Sequence, residues 1–334
     1  MDGRVLRIVI PGGSGQVGQM LARFFQERGH FVTVLTRGPY TAQWQTVHWD
    51  GKTAGPWVET LQGADAVIHL SGKSINCRYT AKNRRQLVDS RVSPTRLLNE
   101  VIAGLSNPPR VWLNASAATI YRRALDADGV DLPLDEVTGE LGGDQLPARS
   151  LAAPWAARRG FAARVAKDWE AAFFAAETPR TRKIALRSAI VLASEPGSAF
   201  AVLSNLVRLS LGGKQGNGRQ FVAWIHSADF ARAVEFLIAR EELSGPFNLT
   251  APHPLPNRAF MAALRWAWDV PNGLPAPALA IKLGALLLRT EPELVLGSCR
   301  AVPQRLLDAG FEFQFPDWPE AAEDLAEQGR RRNS

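Results

Sequence analysis

Val5-Leu6-Arg7-Ile8-Val9-Ile10-Pro11-Gly12-Gly13-Ser14-Gly15-Gln16-Val17-Gly18 decides the fold. The first six residues read as an apolar strand. The residues after the glycines read as a helix, with Val17, Met20, Leu21, Phe24 and Phe25 on one face at helical spacing. Glycines at 12, 15 and 18 fit a tight turn, close backbone approach to phosphate, and close helix–strand packing. Free backbone N–H groups at the start of the helix favour an anion. The stretch therefore predicts a pyrophosphate cradle made by Gly12, Gly13, Ser14, Gly15, Gln16, Val17 and Gly18.

A second strand follows at Phe31-Val32-Thr33-Val34-Leu35-Thr36, and then Arg37. A dinucleotide with a free ribose 2′-hydroxyl usually meets an acidic residue here, about 20 residues after the glycines. This chain has Thr36 and Arg37 instead. A cation at that position suits a 2′-phosphate, so the expected cofactor is NADP(H).

The 334 residues suffice for one large α/β domain or two smaller ones, and 46% hydrophobic residues support a sizeable core. Cys77 and Cys299 lie far apart and do not make a metal-ligand cluster, so no metal is expected. A reduced, cytoplasmic setting is the simplest expectation. No secretory signal pattern opens the chain, and no run is long enough to span a bilayer, so no stable membrane insertion is expected. The most apolar stretch, Leu274 to Leu288, reads as a buried or partner-facing helix. The formal charge of +7 permits an acidic small-molecule ligand or a membrane surface. Scattered arginines without an aromatic–basic motif do not indicate nucleic acid.

Further strands are expected at Val47-His48-Trp49, Ala66 to Leu70, Val111 to Asn114, Ile184 to Leu186 and Ile190 to Leu192. Helices are expected over Leu87–Ile102, Phe161–Ala176 and Leu203–Leu211. Asp229 and Asn257 are expected to cap two more. Residues 122 to 159 read as an exposed excursion. Strands alternating with helices imply a doubly wound, parallel α/β sheet. The expected division is a Rossmann domain over 1–250, with part of a substrate lobe inserted around 190–225. A small C-terminal domain over 251–330 completes that lobe.

Several segments together resemble an atypical extended short-chain dehydrogenase/reductase. More narrowly, the chain resembles the sugar-nucleotide epimerase-like family that ends in a C-terminal domain of unknown function. The segments are the glycine loop, Val34-Leu35-Thr36-Arg37, Ala64 to Gly72, Asp89-Ser90-Arg91-Val92, Ala115-Ser116-Ala117, Asp168-Trp169-Glu170, Gly212 to Phe221, Trp224-Ile225-His226 and Gly310-Phe311-Glu312-Phe313. The resemblance implies a seven-stranded Rossmann sheet with a smaller substrate lobe. It implies that Leu70, Ser71 and Gly72 pass close to the cofactor, that Thr36 and Arg37 meet the adenosine phosphate, and that Arg91 contacts the cofactor.

Members of this superfamily commonly pair a tyrosine with a lysine one helical turn later. The lysine lowers the phenol's pKa so that it can transfer a proton. Counting back from Glu170, the lysine position falls on Ala166 and the tyrosine position on Ala162, and Lys167 points about 100° away. Ser116 and Tyr121 are the remaining catalytic candidates. Lys73 stands where the family tends to carry an acid, and with Trp224 and His226 it is a candidate substrate contact. The expected activity is an NADP(H)-binding oxidoreductase or epimerase-like enzyme acting on a small polar, nucleotide-sugar type of substrate. The alternative is a catalytically weak cofactor-binding regulatory or scaffolding protein.

Overall fold

The computed structural model describes residues 4–39, 41–142, 156–287 and 291–333. The chain begins β1 (Arg7–Pro11), α1 (Gln16–Glu27), β2 (Phe31–Thr36), β3 (Gln45–His48) and β4 (Ala66–His69). It continues through α2 (Ala81–Gly104), β5 (Val111–Ala117), α3 (Ala156–Phe174), β6 (Arg182–Ser188), β7 (Ile190–Leu192), α4 (Ala199–Arg208), β8 (Phe221–Val222), β9 (Trp224–His226), α5 (Ser227–Ala239) and β10 (Gly245–Leu249). The C-terminal part is β11 (Leu255–Pro256), α6 (Asn257–Ala267), α7 (Ala278–Leu287), α8 (Glu293–Leu296), α9 (Gln304–Asp308) and α10 (Trp318–Asn333).

Seven strands form one sheet in the order β10-β6-β5-β4-β1-β2-β3. Every pairing in it is parallel. Parallel strands covered on both faces must be apolar at successive positions, and the central strands β1 and β4 are buried along nearly their whole length. Ile8 and Ile10 face a core shared with Leu21 and Phe25 of α1 and Phe230 and Val234 of α5. Val9 faces the other way, into a core with Leu98 and Ile102 of α2 and Phe173 of α3. The chain reverses direction between β1 and β4. A doubly wound sheet opens its ligand crevice at that point, beyond the carboxyl ends of the strands.

A third core lies among α4, β9, α6 and α10. Phe200 and Val207 of α4, Trp224, Phe260 and Leu264 of α6, and Trp318 and Leu325 of α10 are buried together. Trp318 stacks on Phe260 at 4.1 Å, and its indole N–H donates to the Phe260 carbonyl at 2.8 Å. Segments far apart in sequence thus share one core.

Several local expectations differ from the structure. β3 covers Gln45–His48, and Trp49 turns inward to meet Trp57 edge-on at 5.2 Å. α2 starts six residues before the expected Leu87, because the Thr80 side chain caps it by accepting from the Asn83 N–H. α4 runs over Ala199–Arg208 rather than Leu203–Leu211: Ser198 caps its start, and Ser210 adopts φ 60° just beyond its end. Asp229 is not a cap. His226 caps α5, while Asp229 lies inside the helix and accepts from the Gln314 and Phe315 N–H groups at 2.8 Å each. Asn257 is the first residue of α6 rather than its cap, and its side chain holds Gln215 instead. The 122–142 part of the excursion is pinned to the C-terminal region through a Leu134–Ala301 bridge. Residues 143–155 lie outside the described residues. In the apolar helix α7, Leu279, Leu283 and Leu286 are exposed.

His69 gives the fold an acid-sensitive point. It is wholly buried between Trp49 and Trp169, both edge-on. Its Nδ1 lies 2.7 Å from Asn114 Oδ1, so Nδ1 carries the proton, and Nε2 has no partner among the described residues. Burial pushes its pKa down from 6.5 to about 4, with the Asn114 hydrogen bond opposing. The unfolded chain therefore binds a proton below about 6.5 that the folded chain refuses until about 4. Stability present above pH 6.5 is lost as pH falls through that window, by about 3 kcal/mol from this group. We expect a larger drop in urea midpoint between pH 7 and pH 4 for the native chain than for His69→Gln. Equal drops would show that His69 does not carry the effect.

Candidate functional site

The turn after β1 is built so that three of its four glycines cannot carry a side chain. Gly12 has φ 79°, and a Cβ there would lie 2.7 Å from the Ser71 backbone. A Cβ on Gly13 would meet the Ile10 carbonyl at 2.9 Å, and one on Gly18 would lie 2.4 Å from Gly13 Cα. Gly18 thus lets α1 sit against the turn. Gly15 is different. It precedes α1 in extended conformation, and a Cβ there would find only the Gly12 carbonyl, at 3.7 Å. The fold itself leaves that space open, as close approach of a pyrophosphate requires.

The surrounding groups match this cradle. Ser14 Oγ lies 3.3 Å from Thr36 Oγ1, which joins the glycine turn to the end of β2. Arg37 follows, exposed at the mouth. Leu70 donates its N–H to the Pro11 carbonyl at 2.8 Å, bringing the β4 end beside the turn. Ser71 Oγ is buried there with no hydrogen-bond partner among the described residues. An orphaned buried hydroxyl costs about 1–3 kcal/mol, so a polar ligand beside it would relieve the cost. Gln16 Nε2 donates to the Pro196 carbonyl at 3.2 Å, tying α1 to the loop after β7. Val17 packs against the sheet core. The residues present thus fit a dinucleotide.

Arg91 acts on the protein. Its guanidinium donates to the Leu87 and Lys73 carbonyls, stands 3.1 Å from where a Gly72 Cβ would lie, and sits 5.2 Å over the Trp169 ring. It supports the Ser71-Gly72-Lys73 loop from beneath. Lys73 turns its ammonium onto Asn83 Oδ1 and Gln86 Oε1 of α2, at 3.1 and 2.7 Å.

Ser116 and Tyr121 belong to one buried network. Ser116 donates to Glu170 Oε1 at 2.6 Å. Arg187 grips Glu170 with two bonds, Nε to Oε1 at 2.9 Å and Nη2 to Oε2 at 2.8 Å. Its Nη1 donates to the Tyr121 hydroxyl at 2.9 Å, and Tyr121 donates to Asn248 Oδ1 at 2.8 Å. Burial pushes the Tyr121 phenol up to about 12, although Arg187 opposes the shift. The same ion pair holds the Arg187 guanidinium above its ordinary value despite burial. The phenol is therefore a weak acid whose proton is already engaged. Ala166 is buried on α3, and neither it nor Ala162 carries a titratable group.

Glu170, Arg187 and Asn248 were not singled out from the sequence as site residues. A signal existed: Arg187 follows Ile184-Ala185-Leu186, and Asn248 sits between Phe247 and Leu249. Charged or amide residues in a buried parallel strand require partners.

Trp224 is wholly buried and meets Trp318 at 5.1 Å inside the lobe core. His226 is also buried. Its Nδ1 accepts from the Ala228 N–H at 3.1 Å, so Nε2 carries the proton toward Asp324 Oδ2, 3.1 Å away. Burial lowers its pKa, opposed by Asp324. These two residues pack inside the third core, while Lys73 lies on the loop after β4 beside the glycine turn.

The model of the NAD dependent epimerase/dehydratase family matches residues 8–249, and that of a domain of unknown function (DUF1731) matches residues 276–325. The chain is 32% identical over 308 residues to an epimerase family protein of Mycobacterium leprae, covering 92% of this chain and 91% of that protein. Its fold is similar to that of the human epimerase family protein SDR39U1, whose crystal structure contains NADPH. The TM-score is 0.81 at 26% identity, covering 96% of this chain and 99% of that one. It is similar also to a nucleoside-diphosphate sugar epimerase from Corynebacterium glutamicum, with a TM-score of 0.72 at 27% identity, covering 98% of this chain and 59% of that one. With its Rossmann sheet, glycine turn and these matches, the chain belongs to the NAD dependent epimerase/dehydratase family.

Proposed function

We propose that this protein binds NADP(H) in the cytoplasm and acts, with slow turnover, as an oxidoreductase or epimerase-like enzyme on a small polar, nucleotide-linked substrate. The observation that carries the reading is the open space at Gly15 beside the Ser14–Thr36–Arg37 corner. Gly12, Gly13, Ser14, Gly15 and Ser71 would hold the pyrophosphate and adjoining ribose. Arg37 would meet the 2′-phosphate. The NADPH in the human relative and the activity named for the corynebacterial one support the cofactor and substrate class. The nicotinamide would supply hydride chemistry.

The proton is this chain's own task. Ser116, at the end of β5, directs its proton toward Glu170. Arg187 holds both oxygens of that carboxylate with two bonds, so the group Ser116 faces is already engaged. Tyr121 is committed to Asn248 and is held out of range by burial. Slow proton transfer follows. The same observation favours a second reading, a cofactor-binding regulatory protein without turnover.

The test is a cofactor-oxidation screen over nucleotide sugars and small carbonyl compounds. We expect weak turnover that Ser116→Ala lowers by about 10²–10⁴-fold, the usual worth of a proton-transfer group. Tyr121→Phe should leave it within about tenfold, because that phenol carries no reacting proton. Tight NADPH binding with no turnover on any substrate would favour the regulatory reading. Rapid turnover indifferent to Ser116→Ala would overturn the proton path.

A further inference from the structure

The smaller lobe carries a charge and surface pattern that cofactor binding does not use. Residues 196–228 include Arg208, Lys214 and Arg219 and no Asp or Glu. Residues 250–290 include Arg258, Arg265, Lys282 and Arg289 against Asp269 alone. Nearly all of the chain's formal charge of +7 resides in these two stretches. The structure joins them: Leu274 N–H donates to the Ser210 carbonyl at 2.8 Å, Ala276 N–H to Lys214 at 2.9 Å, and Gly216 N–H to Ala276 at 2.8 Å.

The joined edge is also apolar and uncovered. Trp266 is 82% exposed and Leu209 70% exposed, and Leu274, which bonds back to Ser210, is exposed as well. Two residues past Ala276, α7 begins. It presents Leu279, Leu283 and Leu286, which are 68%, 59% and 53% exposed, with Lys282 among them. Spacings of four and three residues put these leucines on one face, while Ala285 is buried on another. Single exposed leucines need no explanation, but a contiguous set rimmed by one sign of charge marks an interaction surface.

We propose that this edge of the lobe docks the protein reversibly on an anionic membrane surface, with α7 lying in the headgroup–acyl boundary. Charge complementarity selects the occupant, because the two joined stretches carry six cations and one acid among the described residues and would repel a second copy. An exposed tryptophan with leucines and flanking cations suits the interface of an anionic bilayer. With ten residues α7 is too short to cross a bilayer, and no helix among the described residues is long and apolar enough to do so. Docking therefore means lying on the surface. The Tyr79 N–H donates to Glu291 at 2.6 Å, a few residues past α7, so the docked edge adjoins the loop that leads to the cleft.

Co-sedimentation of the full chain with vesicles tests this. We expect pelleting with phosphatidylcholine vesicles containing phosphatidylglycerol, little with phosphatidylcholine alone, and release as salt rises. Leu279→Ser with Leu283→Ser, and separately Lys282→Glu, should each weaken binding by about tenfold or more. These side chains are exposed, so thermal melts should match the native chain. Absence of binding to the anionic vesicles at low salt would overturn the proposal, as would binding unchanged in both variants. So would a concentration-dependent dimer that the leucine variant abolishes, which would assign the face to a second copy.

Discussion

Arg187→Ala should cost about 3–5 kcal/mol of folding stability, the usual loss when one partner of a buried ion pair is removed. Arg187 and Glu170 side chains are 6% and 9% exposed, and the guanidinium also holds Tyr121. Truncation leaves the Glu170 carboxylate with Ser116 as its remaining hydrogen-bond donor among the described residues and leaves the Tyr121 hydroxyl without its cationic donor. The network links β5, α3, β6 and β10, so its loss loosens the carboxyl edge of the sheet where the cleft opens. The double variant Arg187→Met with Glu170→Gln should be milder than Arg187→Ala, because no uncompensated charge stays buried. Urea unfolding decides. A loss below about 1 kcal/mol for Arg187→Ala would match a surface pair and contradict this account.

Gly15→Val should abolish NADPH binding while leaving thermal stability nearly intact. The backbone at Gly15 is extended, with φ −75°, which valine adopts readily, and nothing crowds the new Cβ. The added branches would fill the space reserved for the pyrophosphate. Gly18→Val is the contrasting case. A Cβ there lies 2.4 Å from Gly13 Cα, so the chain itself must move and stability should fall. Calorimetric titration with NADPH and a thermal melt separate the two effects. Unaltered NADPH affinity in folded Gly15→Val would place the cofactor elsewhere.

Six of the seven strands were legible in the sequence as short, largely apolar runs, and the first turn is punctuated by glycine. The edge strand β10 was not placed, because Gly245, Pro246 and Asn248 interrupt its apolar run, and the expected strand Ile190–Leu192 pairs with β9 outside the main sheet. Two features hid the remainder. Helix starts depend on caps: Thr80 lies ahead of polar first turns in α2, so apolar spacing alone placed the start at Leu87. Asp229 and Asn257 have the right side chains for capping but are used for tertiary bonds, and His226 takes the cap that composition assigned to Asp229. The cofactor cradle was legible for a related reason, since backbone approach requires glycine at fixed spacing. Catalytic assignment was harder. Ser116 and Tyr121 could be named from their place at the end of β5 and just beyond it, but their chemistry is set by Glu170, Arg187 and Asn248, which lie 54, 66 and 127 residues away from the groups they hold. Long-range partners leave no spacing to read.

Calorimetric titration of the native chain with NADPH and with NADH tests the central claim most directly. The account predicts tighter binding of NADPH, with Arg37→Ala removing about 1.5–3 kcal/mol of the difference, the worth of a charge-assisted hydrogen bond. Equal affinity for the two cofactors, or tighter binding of NADH, would contradict it.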